Sequence, residues 1–221
     1  MTAVVMSWSG GKDACMALSA LQQTPGTTVA GLLTSVTRDS ERISMHGVRR
    51  DLLVRQATAL GLPLRELALP AFPSNAVYEA ALGEALAEYR RAGVETVAFG
   101  DLFLEDIRAY RDALMARLGM TAIYPVWGRA TRGFLEAFIA QGFKAVAVCV
   151  DLAKLDLSFA GRAVDVAFLA DLPDGVDPAG ENGEFHTFVF DGPNFRQPVD
   201  FTLGGREARD GFGFVDLIPA A

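Results

Sequence analysis

An apolar strand that stops at Ser9-Gly10-Gly11-Lys12-Asp13 and gives way to a helix-forming stretch leaves this chain few ways to fold. Val4–Ser7 reads as the strand and residues 12–22 as the helix. Glycine tolerates φ > 0 and close approach, so Ser9, Gly10 and Gly11 can turn backbone N–H groups toward an anion. The helix behind them aims its positive dipole end at the same point, and Lys12 adds a full charge. The stretch reads as a cradle for a polyphosphate. It has neither the four-residue spacer of a Walker A loop nor the three glycines of a dinucleotide fingerprint.

Downstream the apolar pattern alternates between strand and helix. Residues 28–34 read as a strand after the Pro25-Gly26 turn, and 38–46 as a polar loop or hairpin over the site. Val48, Leu52, Leu53, Ala57 and Leu60 repeat with a helical period that Gly61 caps and Pro63 ends. Residues 64–69 form a strand, Ser74 caps a helix running to about Arg91, and 94–99 form a buried strand ending at Gly100-Asp101. Residues 104–118 are helical again. This alternation predicts an α/β fold, a parallel sheet with helices on both faces. Ligands of such sheets sit beyond the carboxyl ends of the strands, so the glycine loop and Gly100-Asp101 are expected to face one crevice.

After about residue 120 the pattern loosens. A helix over 131–141 and strands over 143–150, 185–190 and 201–203 suggest a smaller α+β substrate region. The expected division is therefore a phosphate-binding domain over 1–120 and a substrate-binding domain over 121–221. The segment Gly180-Glu-Asn-Gly-Glu-Phe-His-Thr-Phe188 concentrates polar chemistry between apolar residues. On a strand, Glu184 and His186 would point to one side. With Glu181 they can bind an amine, orient ammonia or hold Mg²⁺; a polar hairpin tip before an edge strand accounts for them equally well.

Charge and cysteine content narrow the partners. A net charge of −7 disfavours nucleic acid and anionic membranes. No apolar stretch has the length of a membrane span, and the start does not read as a signal peptide. Cys15 and Cys149 are too few for a disulfide framework or a Cys-rich metal site, so reduced thiols in a cytoplasmic protein are expected. Both cysteines fall in apolar segments and read as core rather than as nucleophiles.

Ser9–Asp13, His46–Gly47, Gly100–Arg108, Trp127-Gly128-Arg129, Asp156–Gly161 and Gly180–Phe195 together resemble the diphthine–ammonia ligase family of N-type ATP pyrophosphatases, in its bacterial branch. The resemblance spans nearly the whole chain. It implies a five-stranded HUP-type (Rossmann-like) parallel sheet that binds ATP, with Mg²⁺, and a C-terminal region carrying the Glu-Asn-Gly-Glu segment. It also implies ATP-dependent amidation, in which a carboxylate attacks the α-phosphorus, pyrophosphate leaves and ammonia displaces AMP. The named family substrate is diphthine; a bacterial member is expected to use another carboxylate, small or protein-borne. Free ammonia is the expected nitrogen donor, and a homodimer is the assembly the family suggests.

Roles then attach to residues. Lys12 is expected to bind the β- or γ-phosphate as pyrophosphate departs. Ser9, Gly10, Gly11 and Gly100 are expected around the nucleotide. Asp13 either caps the helix or holds Mg²⁺. Asp101 contacts metal or the incoming amine, or caps a helix. Arg108 pairs with a substrate carboxylate or phosphate, or forms a plain salt bridge with Glu105 or Asp112. His46 approaches the nucleotide or bonds locally. Glu181, Asn182, Glu184, His186 and Thr187 are assigned to substrate or ammonia recognition, with Glu184 counted beside Lys12 and Asp101 as catalytic. The family's loop usually ends in Ser; Ala14 here removes one hydroxyl donor, a loss of about 0.5–1.5 kcal/mol and up to roughly tenfold in binding. That residue keeps a non-catalytic ATP or AMP sensor in play. A tRNA-modifying enzyme of the same loop class is disfavoured by the acidic charge.

Overall fold

The computed structural model describes residues 1–38, 42–43 and 47–220. Thr2–Ser7 (β1) passes through the glycine loop into Lys12–Gln23 (α1) and then Thr27–Thr37 (β2). Arg42–Ile43 (β3) pairs antiparallel with Val36 and Thr37 at the end of β2. Arg50–Leu60 (α2), Leu64–Leu69 (β4), Asn75–Arg91 (α3), Thr96–Ala98 (β5), Glu105–Arg117 (α4) and Thr121–Ile123 (β6) follow. The helix ends behave as their sequence implies. Gly61 takes the left-handed conformation that closes α2, and Ser74 Oγ accepts from Val77 N at the start of α3.

The parallel strands lie in the order β4-β2-β1-β5-β6. Alternate residues of β1 feed opposite faces of this sheet, as the strand period requires. Val4 and Met6 join α1 and α2 in one core cluster, while Val5 joins α3 and α4 in the other. Strand order departs in both directions from β1, toward β2 and toward β5. That switch point opens a crevice at the carboxyl ends of the two strands.

The second half folds as Thr131–Ala140 (α5), Lys144–Asp151 (β7), Val166–Asp171 (α6), Phe185–Asp191 (β8), Phe201–Arg209 (β9) and Phe212–Pro219 (β10). Its strands make a separate antiparallel sheet in the order β8-β7-β10-β9. The α/β class and the two-sheet organisation agree with the alternation in the sequence. The strand expected to stop at Leu203 runs on to Arg209, because β10 pairs with it along its length. Neither β10 nor the short β6 is marked by the pattern of the sequence.

The two sheets share a core. Helix α1 contacts β1 and β2 on one side and β8 on the other, which is why nearly every residue of α1 from Lys12 to Leu21 is buried. No helix among the described residues is long and apolar enough to cross a membrane.

Gly100, just past β5, lies against the first turn of α1. A Cβ there would meet the carbonyl carbon of Asp13 at 2.9 Å and the Ala14 nitrogen at 3.0 Å, both backbone atoms that cannot swing away. Gly100→Ala is therefore expected to lower stability by about 1–3 kcal/mol, the usual cost of overpacking. Urea unfolding of wild type and variant measures it, and equal midpoints would contradict the close approach.

Candidate active site

The glycine loop is held from both sheets. Gly10 sits at φ 78°, a conformation that glycine adopts without strain. Its carbonyl accepts from Val189 N of β8 at 2.9 Å and from Gln56 Nε2 of α2 at 2.9 Å. Gly11 is the N-cap of α1 and so brings no capping side chain of its own. Thr187 of β8 replaces one: its Oγ1 accepts from Lys12 N at 3.0 Å. A Cβ on Gly11 would come within 3.1 Å of the Thr187 carbonyl oxygen, so a larger residue there would push β8 back by a few tenths of an ångström.

The first four N–H groups of a helix lack an intrahelical acceptor. In α1 the first helical acceptor serves Cys15, whose N–H bonds Gly11 O. The Lys12 N–H is taken by Thr187, and the Gly11 N–H leans on Ser9 Oγ over a long 3.3 Å. Asp13 and Ala14, the next residues of this first turn, line the cleft, with the helix dipole behind them.

That cleft has a volume of about 410 Å³ and lies at the β1/β5 switch point. Ser9, Asp13, Gly100, Asp101, Glu181 and His186 all line it, so the structure brings together residues from the loop, from the end of β5 and from the C-terminal sheet. An apolar wall of Leu33, Leu67, Leu82, Val97 and Phe99 forms its other side.

Three carboxylates meet there. Among the described residues, Asp13 Oδ1 and Asp101 Oδ2 are buried without a hydrogen-bond partner. Burial pushes the Asp13 carboxyl above its ordinary range, against the pull of Lys12. Glu181 Oε1 accepts from Leu102 N at 2.7 Å, which ties the C-terminal turn to the end of β5. Burial pushes the Glu181 carboxyl up to about 7, with Asp13 and Asp101 adding to the effect. His186 is driven the other way, to about 4, by burial and by the nearby Lys12 charge. It is therefore a neutral imidazole at neutral pH.

Other expected site residues lie elsewhere. Lys12 is 2% exposed and stands behind Asp13 rather than in the cleft wall. Its Nζ is 2.9 Å from Asp13 Oδ2 and 5.2 Å from the centre of the Phe185 ring. Glu184, 1% exposed, accepts from the backbone N–H groups of Asp177 and Asn182, from Asn182 Nδ2 and from Lys154 Nζ. It organises the turn, and Asn182 belongs to the same network. The expectation that Glu184 and His186 share one side of a strand does not hold, because β8 begins only at Phe185. Arg108 lies outside the cleft wall, 4.9 and 4.6 Å over the rings of Tyr124 and Trp127 and 3.7 Å from Asp112. His46 lies outside the described residues.

The residues expected at the site include neither Arg111, in the cleft wall, nor Gln56, buried behind the loop. Arg111, one turn beyond Arg108, lines the cleft, donates to Asp101 Oδ1 at 3.2 Å and stacks 4.4 Å over Phe99. Choosing between two arginines three apart requires the rotation of α4 about its axis, which periodicity leaves loose. Gln56 is fully buried beneath the loop. Its signal was visible: a lone amide on the apolar stripe of Leu52, Leu53, Ala57 and Leu60. The two cysteines are buried, and burial pushes the Cys15 thiol up and Cys149 up to about 12, so neither supplies a thiolate.

Comparison with known families gives two matches. Residues 1–122 match the diphthamide synthase N-terminal domain, and residues 130–218 match the diphthamide synthase C-terminal domain. A comparison with curated proteins finds no match. The two matched stretches carry both walls of the cleft: the loop and Gly100-Asp101 in the first, Glu181 and His186 in the second. The chain belongs to the diphthamide synthase family.

Proposed function

We propose that this protein is an ATP-dependent ligase that adenylates a carboxylate and passes the acyl group to ammonia. The observation that carries the reading is the meeting, in one cleft, of the loop donors and helix end of α1 with acidic groups from both sheets. A family built on ATP-using amidation supports it. In the first step a carboxylate oxygen bonds to the α-phosphorus, the bond to the bridging oxygen breaks and pyrophosphate leaves. In the second step ammonia attacks the acyl carbon, loses a proton and displaces AMP.

The residues divide this work. Ser9, Gly11 and the start of α1 hold phosphate oxygens, with the Lys12 charge behind them stabilising the departing pyrophosphate. Glu181, held near 7, is suited to take the proton of the attacking amine. Arg111 offers a positive charge, fixed by Asp101 and Phe99, to the acyl carboxylate. Glu184 and Thr187 act at one remove, the first shaping the Glu181 turn and the second capping α1.

The donor set also fits Mg²⁺. Among the described residues no cage of three or more His, Cys, Asp or Glu side chains is gathered. Magnesium at nucleotides needs only one or two carboxylates besides phosphate and water. The unpartnered Asp13 Oδ1 and Asp101 Oδ2 would hold it, and the chemistry supplied would be neutralisation of phosphate charge.

Protein incubated with Mg-ATP, ammonia and a panel of carboxylates is expected to release AMP and pyrophosphate; ADP would sink the adenylation mechanism. Nucleotide retained without turnover across the panel would favour a sensor. Lys12→Met keeps a buried side chain of similar length and removes the charge behind the loop, so ATP affinity is expected to fall about tenfold, a loss of about 1.4 kcal/mol of attraction from a charge that does not itself line the cleft. Unchanged binding would remove Lys12 from the cradle.

The cleft also predicts a pH dependence. Glu181 holds its proton more tightly in the folded chain, about 7 against 4.5, so its contribution to stability falls as pH rises between those values. His186 acts oppositely: with a folded value of about 4 against 6.5, it adds stability as pH rises over that window. Glu181→Gln removes only the first effect. The stability of this variant relative to wild type is expected to grow from about pH 4.5 to about pH 7 in urea unfolding at a series of pH values. A difference flat with pH would show that Glu181 titrates normally.

A further inference from the structure

We propose that Gln56 is a positioning residue for the phosphate loop, one that orients the Gly10–Gly11 peptide so that its N–H faces the bound polyphosphate. The proposal rests on the reading of the cleft as a polyphosphate site. Gln56 is fully buried and every polar atom of its amide is engaged. Nε2 donates to Gly10 O at 2.9 Å and to Val189 O at 2.6 Å, and Oε1 accepts from Trp8 Nε1 at 2.8 Å. A side chain of helix α2 thus joins the residue before the loop, the loop itself and the C-terminal sheet.

The consequence follows from peptide geometry. The peptide bonds of the described residues are trans, so the Gly10 carbonyl and the Gly11 N–H point in opposite directions across one rigid plane. Gln56 Nε2 and Val189 N hold the carbonyl on the protein side. The Gly11 N–H is therefore turned away from Gln56, toward Ser9 Oγ at 3.3 Å; Gly11 itself is buried, and Ser9 is the residue that lines the cleft, so this long contact is the one a phosphate oxygen entering beside Ser9 would replace. A glycine at φ 78° has no intrinsic preference for this peptide orientation over its flipped alternative. The bonds to the carbonyl oxygen select it. The neighbouring Lys12 N–H makes a contrast, since Thr187 Oγ1 already occupies it. A Cβ on Gly10 would stand 2.9 Å from Gln56 Oε1, so the amide also fills the space that only glycine leaves.

This role separates phosphate binding from adenosine binding. Gln56→Met keeps the length of the side chain and removes both donors. Equilibrium binding of pyrophosphate and of AMP to the wild-type and variant full chain, with thermal unfolding as a check on folding, tests the proposal. Pyrophosphate affinity is expected to drop about tenfold while AMP affinity stays within about twofold. Equal losses for both ligands, or no loss for either, would overturn the positioning role. If the wild-type chain binds neither pyrophosphate nor ATP, the cradle reading itself fails. Should the variant not fold, amide NMR of the wild type decides the question. On titration with pyrophosphate the Gly11 resonance is expected to move and that of Lys12 to stay. Binding that leaves the Gly11 amide unmoved would overturn the proposal.

Discussion

Helix α1 begins at a glycine and therefore has no side-chain oxygen of its own to cap it. Strand β8, from the far end of the chain, supplies what is missing. Thr187 Oγ1 accepts from the Lys12 N–H, Val189 N donates to the Gly10 carbonyl, and the Phe185 ring lies 5.2 Å from the Lys12 ammonium. Without this grip the loop would be a glycine-rich turn with several orientations of similar energy. With it, the N-terminal positive end of a buried helix is fixed at the β1/β5 switch point. The conformation of the glycine loop on the first sheet is thus fixed by the second.

The same packing explains the electrostatics. Since α1 lies between two sheets, Lys12 is withdrawn from water and pairs with Asp13, the acidic residue next to it. Asp13, Asp101 and Glu181 then share one cleft as half-buried groups. Desolvation and repulsion from neighbouring carboxylates push the Asp13 and Glu181 carboxyls up there, and desolvation and the Lys12 charge push His186 down. Within one cleft, Glu181 thus keeps its proton into the neutral range while His186 stays an uncharged imidazole.

Much of the first sheet was legible along the chain. Ser74 and Gly61 mark helix ends by chemistry that acts within a few residues, and the β64–69 strand and the helix to Arg91 follow from period and punctuation alone. The crevice was also legible, since it needs only strand direction and the positions of Gly100 and Asp101. Strand β10 was not, because Phe212–Pro219 contains a glycine and ends in a proline, and it holds its shape by pairing with β7 and β9. Within the motif Gly180–Phe188, residue types announced chemistry without dividing it. Glu181 and His186 reach the cleft, whereas Glu184 holds the turn and Thr187 the helix.

By itself the sequence determined that a glycine loop would sit between a strand and a helix, that the sheet would be parallel, and that the loop would share a crevice with Gly100-Asp101. These follow from local φ/ψ preference, periodicity and chain direction, which act over a few residues. Only the tertiary structure decided which way the loop's peptides face, which of Arg108 and Arg111 enters the cleft, and how far the acids and His186 are displaced from ordinary titration. Those outcomes depend on contacts such as Thr187 with Lys12, Gln56 with Gly10 and Glu181 with Leu102, each joining segments far apart in the chain. Local pattern does not encode where distant backbone will lie, and desolvation exists only once it has arrived.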